Sequence, residues 1–138
     1  MARFLSTLDN SDELAKTLLY NLNPSDNEMM ITMAGNFNDG SLASKVSYGP
    51  AWWFLDQKDG MENHLKKLAA LSLLRRFIGM VTDSRSFMSY PRHEYFRRIV
   101  CNFVGNEIEK GLIPDDDEIV KPLIEGVSYK NAKEYFGF

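Results

Sequence analysis

Apolar and polar positions follow one order along most of the chain: a short, nearly continuous apolar run, then a stretch of helix length with one apolar face. Arg3 to Leu8 has the spacing of a helix tail that begins upstream, and Asn10, Ser11 and Asp12 end it with polar loop chemistry. Thr17-Leu18-Leu19-Tyr20-Asn21-Leu22 is an apolar run with no clean alternation, the pattern of a strand covered on both faces in a parallel sheet. Asn23 then offers a cap and Pro24 a first helical position, so a helix is predicted from Pro24 to Gly35 with Met29, Met30 and Met33 turned inward. These methionines read as core packing, because their spacing is simply helical.

The same order repeats. Past the turn-rich Asn36 to Gly40, Ser44 to Tyr48 reads as a second strand closed by Gly49-Pro50, and Trp52-Trp53-Phe54-Leu55 follows it. From about Asp59 to Leu74, Met61, Leu65, Leu68, Ala69 and Leu73 recur at helical spacing. His64, beside Lys66 and Lys67, is expected on the solvated side of that helix and away from any metal. Phe77-Ile78-Gly79-Met80-Val81-Thr82 reads as a third buried strand that runs into Asp83-Ser84-Arg85-Ser86. Pro91 opens a long helix to about Lys110 with Phe96, Ile99, Val100, Phe103, Val104 and Ile108 as its stripe, and Gly111 ends it. Two shorter helices are predicted near Asp115 to Glu125 and Ser128 to Tyr135, the first bent or shortened by Pro122.

Helix-length connections between buried strands require parallel pairing with right-handed crossovers. The expected fold is therefore α/β, with about three parallel strands, flanking helices and extra helices at the C-terminal end. A three-stranded open sheet would be small and poorly edged, while an eight-stranded (β/α)₈ barrel needs ~200 residues or more. A chain of 138 residues would then be one piece of such a barrel, read as a single domain.

Composition narrows the function. The hydrophobic share of 44% suffices for a core. A net charge of -3 with interspersed signs offers no basic face for nucleic acid. No apolar run approaches the ~20 residues of a bilayer span, and the N-terminus lacks a secretory layout, so no membrane partner and a cytoplasmic location are expected. The single Cys101 lies among Ile99, Val100, Phe103 and Val104 and is expected to be a buried, inert thiol. No strand is followed by a Gly-rich phosphate loop, which argues against nucleotide binding.

Candidate chemistry gathers after the third apolar run. Asp83 sits where a parallel barrel places its reactive groups, and pattern alone leaves it either a catalytic carboxylate or a loop-capping Asp. Arg85 could hold an anionic group with its fork of donors, or pair with a loop acid. Trp52 and Trp53 follow a strand end, where an indole can wall a pocket, stack on a sugar face or pack the rim. Arg92 and His93 open the next helix; His93 alone reads as a packing or surface residue. Asp115 to Glu118 is the charged first turn of a helix.

Trp52-Trp53-Phe54-Leu55-Asp56-Gln57-Lys58-Asp59-Gly60-Met61, Thr82-Asp83-Ser84-Arg85-Ser86-Phe87 and Arg92-His93-Glu94-Tyr95-Phe96-Arg97-Arg98 closely resemble the uronate isomerases, also called glucuronate isomerases. Tyr20 to Pro24 and Asn131 to Phe136 are similar to that family too, so the likeness spans nearly the whole chain but only the family's C-terminal part. The resemblance implies a metal-dependent barrel of the amidohydrolase type, with this chain supplying strands six, seven and eight and the closing helices. It also implies aldose–ketose isomerisation of a sugar acid, D-glucuronate to D-fructuronate or D-galacturonate to D-tagaturonate.

Under that resemblance Asp83 is a metal ligand and proton-transfer group; from their own chemistry and position, Arg85 is expected as a catalytic and substrate-binding residue and Trp52, Trp53 and Arg92 as further substrate contacts. A divalent metal, zinc, is implied for the full-length enzyme. Family members take two metal-binding histidines from a His-x-His sequence that is absent here, so this chain is expected to bind no metal tightly and to be inactive alone. Self-association into a homo-oligomer is expected from exposed strand edges. The competing expectation is a non-catalytic helical module that mediates assembly.

Overall fold

The computed structural model describes residues 1–138. Helix α1 (Ala2–Asn10) leads into strand β1 (Thr17–Leu19), and a 3₁₀ turn at Pro24–Asp26 opens helix α2 (Asn27–Gly35). Strand β2 (Val46–Tyr48) follows, then a 3₁₀ turn at Trp53–Leu55 and helix α3 (Lys58–Leu71). After 3₁₀ turns at Leu74–Arg76 and Phe87–Ser89 come α4 (Pro91–Glu109) and α5 (Asp117–Glu125). A π-helical segment, Gly126–Lys130, joins α5 to the last helix, α6 (Asn131–Phe136). No helix is long and apolar enough to cross a membrane.

Local chemistry sets several of these boundaries. The Asn23 side chain accepts the Ser25 N–H at 3.1 Å with Pro24 beside it, as a helix entry requires. Gln57 caps α3 by accepting the Gly60 N–H at 3.0 Å, and Asp116 caps α5 through the Glu118 N–H at 2.8 Å. Gly111 leaves α4 at φ +73°, a left-handed turn that favours glycine.

The sheet has two strands, not three. β1 and β2 pair in parallel with Thr17 opposite Val46 and Leu19 opposite Tyr48. The predicted third strand is buried at Phe77 and Ile78, yet joins no ladder. Gly79 breaks it with φ +89°, and a Cβ there would stand 2.2 Å from the Val127 carbonyl oxygen. The Asn131 amide takes the carbonyls of Arg75 and Phe77 at 2.7 and 2.8 Å, so a side chain replaces a neighbouring strand.

One cluster of 22 buried residues joins the sheet to α1 to α5, with Leu65, Val100 and Val127 at its centre. Removing a fully enclosed side chain such as Leu65 costs about 2–5 kcal/mol. The stripe on α4 is as predicted, with Phe96, Ile99, Val100, Phe103 and Val104 buried. Cys101, however, is exposed: a rotation of ~100° per residue carries it past that stripe. On α2, Met30 is buried and Met33 half-buried, but Met29 faces outward. Ala69 and Leu73 are exposed too.

Candidate functional site

Three chain segments bring their carboxyl ends to one place. Tyr20 is the residue after β1, Trp52 lies just beyond β2, and Asp83 follows the extended stretch that ends at Thr82. The Trp52 indole Nε1–H donates to Asp83 Oδ2 at 2.8 Å, and the Tyr20 ring meets Trp52 edge to face at 5.9 Å. With Val81 these residues line an open surface cavity of about 380 Å³. Burial pushes the Tyr20 phenol above its ordinary pKa, and the Asp83 charge adds to the rise.

Glycine and histidine place Tyr20. Gly49 donates its N–H to Leu19 at 2.9 Å, and a Cβ on it would come within 2.6 Å of the Tyr20 ring. Only a bare backbone lets the ring lie there. Behind Gly49, His64 holds its carbonyl through Nε2 at 3.0 Å, wedged between Tyr48 and Phe77. His64 is 1% exposed, so the expectation of a solvated position is wrong. It belongs to the α3 stripe Met61, His64, Leu65 and Leu68, and burial lowers its pKa to about 4.

Asp83 itself adopts φ +48°, a left-handed backbone that costs roughly 1–2 kcal/mol in a residue with a Cβ, though Asp tolerates it better than most. That turn lies between the first depression and a second, flatter one of about 430 Å³, lined by Met80, Thr82, Ser84, Arg85 and His93 among others. Asp83 borders both. The exposed Arg85 makes no hydrogen bond or ion pair within the chain, so its guanidinium is available to an anion.

The other candidates lie differently. Trp53 is 60% exposed at φ +55°, touching Trp52 and Phe54 edge to face without lining the cavity. Arg92 turns away from both cavities, with Nη1 on the Thr82 carbonyl at 2.9 Å and Nη2 paired to Asp56. Tyr20 was hidden within an apolar run; the Gly49 beside it is the signal that could have drawn attention to a close approach there.

For a divalent metal the donor set is insufficient. Nowhere in the chain do three or more His, Cys, Asp or Glu side chains converge, and Asp83 brings one carboxylate.

Comparison with known proteins gives a consistent result. The sequence profile described as glucuronate isomerase matches residues 1–136. The uronate isomerase of Flavobacterium johnsoniae is 58% identical over 138 residues, covering 100% of this chain and 30% of that protein. That of Cellvibrio japonicus is 57% identical, covering 100% of this chain and 29% of its own length. The crystal structure of uronate isomerase from Thermotoga maritima superposes with a TM-score of 0.84 at 40% identity, over 97% of this chain and 28% of that one. The chain thus spans about 30% of the length of the curated relatives it matches.

Proposed function

Since this chain belongs to the glucuronate isomerase family, we propose that it supplies one corner of a uronate isomerase active site, centred on Asp83. The carrying observation is the hydrogen bond from Trp52 to Asp83 at the mouth of a cavity where three successive segments present their carboxyl ends. β1, β2 and the extended stretch from Phe77 to Thr82 occupy the places of the last three strands of a (β/α)₈ barrel of the amidohydrolase type. Parallel pairing and reactive groups at the carboxyl ends support that placement. Family membership favours this reading over a non-catalytic assembly module.

Aldose–ketose isomerisation moves a proton between two adjacent carbons while negative charge develops on oxygen. Asp83 carries the proton. Its Oδ2 accepts the Trp52 indole N–H, which fixes the carboxylate's orientation and leaves Oδ1 to face the sugar C–H. Arg85, unpaired inside the chain, binds the substrate's carboxylate and draws the reacting carbons toward Asp83. Tyr20 and Trp52 form an apolar wall against the sugar. Alone, these residues bind no metal and leave the opposite wall open, so turnover requires the rest of the site.

The test is conversion of D-glucuronate or D-galacturonate to the ketose by the assembled protein in D₂O, followed by ¹H NMR. Ketose formation through transfer of the proton next to the carbonyl is expected. Failure to convert either uronate refutes the reading.

A further inference from the structure

We infer that Arg92 is a positioning residue that clamps the loop carrying Trp52 to the loop carrying Asp83. Two bridges cross between these loops. One is the Trp52–Asp83 hydrogen bond at the cavity. The other lies behind it, where the Arg92 guanidinium pairs with Asp56 through Nη2 and donates from Nη1 to the Thr82 carbonyl. Asp56 lies four residues beyond Trp52, in the turn anchored by the buried Leu55. Arg92 stands in the first turn of α4, whose stripe is packed into the core. A fixed helix thereby reaches both loops with one side chain.

The Thr82 carbonyl is the informative partner. It belongs to the peptide plane between Thr82 and Asp83, and rotating that plane changes ψ of Thr82 and φ of Asp83 together. Asp83 holds a left-handed φ of +48°, a conformation that persists where its surroundings over-determine it. A donor on that carbonyl supplies the constraint and so aims the Asp83 carboxylate at the indole. Asp56 in turn aims the donor: its side chain is 13% exposed, and its Oδ1 is buried without a partner, so the guanidinium is its main compensation. Only a planar fork serves both acceptors at once, and the lysine ammonium lacks that geometry.

The catalytic consequence rests on the isomerase reading; the geometric claim does not. Arg92→Gln, Arg92→Lys and Asp56→Asn are made in the assembled enzyme with ¹⁵N-labelled tryptophan, the Trp52 indole signal being assigned by Trp52→Phe. The clamp predicts that Arg92→Gln and Arg92→Lys move the Trp52 indole N–H resonance out of its carboxylate-bonded position and speed its exchange with solvent. kcat falls about tenfold to a hundredfold, as for a small misplacement of a reacting group, while KM stays within about threefold. Asp56→Asn keeps the side chain's shape and gives the same spectral change in smaller measure, which covers the case of an Arg92 variant that does not fold. An unmoved Trp52 signal in the folded variants overturns the clamp whatever the kinetics. A moved signal in a protein that isomerises no uronate upholds the clamp and refutes the isomerase reading alone.

Discussion

His64, enclosed in α3, holds the carbonyl oxygen of Gly49 through Nε2 at 3.0 Å. A carbonyl only accepts, so Nε2 carries a proton, and burial keeps the ring neutral near pH 7. The bond links a core helix to the backbone on which Tyr20 rests.

Acid should therefore loosen the support of the site. Burial lowers the His64 pKa from 6.5 to about 4. The unfolded chain takes up the proton first as pH falls, so the contribution is complete above about pH 6.5 and is lost on the way down to about pH 4. A shift of this size is worth about 3 kcal/mol. Urea denaturation between pH 4 and 7 should show the loss, and His64→Gln, which keeps a donor but does not titrate, should flatten that part of the profile.

Gly49→Ala should push the Tyr20 ring off its seat, because the added methyl would meet the ring at 2.6 to 2.9 Å. The expected cost is about 1–3 kcal/mol, typical of overpacking. Tyr20→Ala in the same chain should recover most of it. A double-mutant cycle by chemical denaturation measures the coupling, and strictly additive effects would contradict the contact.

Arg85→Gln should weaken substrate capture more than the chemical step. Arg85 has no partner within the chain, so its loss leaves the fold intact and shows itself in KM for the uronate. A rise in KM of about tenfold or more fits the loss of a charge-assisted pair of ~1.5–3 kcal/mol. Unchanged melting with raised KM is the expected pattern in steady-state kinetics and calorimetry.

The 138-residue chain should self-associate. A two-stranded sheet leaves an outer edge on each strand, and Phe87 and Met88 stand more than four-fifths exposed near the site. Light scattering across a concentration series should give a mass that grows above 15.8 kDa. A constant monomer mass would contradict it.

The helices were legible because a period of 3.6 is a local property, and the stripes on α3 and α4 fall close to where the spacing puts them. His64 was legible in the same spacing, three residues after Met61 and four before Leu68, but its basic neighbours drew the reading to the surface. Strand content was overstated because an apolar run reports burial rather than pairing. Phe77 and Ile78 are buried as read, but the carbonyl that a third strand would offer is taken by Asn131, 54 residues away from Phe77. Asp83 and Trp52 stood out at segment ends, whereas their contact, across 31 residues, required the fold. Arg92 drew attention as a cation near the site; that its charge meets Asp56 could not be read from spacing.

Under the proposed function Asp83 carries the proton of a uronate isomerisation, and Asp83→Asn in the assembled enzyme, assayed for ketose formation from D-glucuronate, isolates that role. Asparagine keeps an oxygen for the Trp52 indole and the exposed site tolerates the change, so the fold should stand while kcat falls about 10²- to 10⁴-fold, the usual contribution of a general base. Turnover within a few-fold of the unsubstituted enzyme would contradict the account.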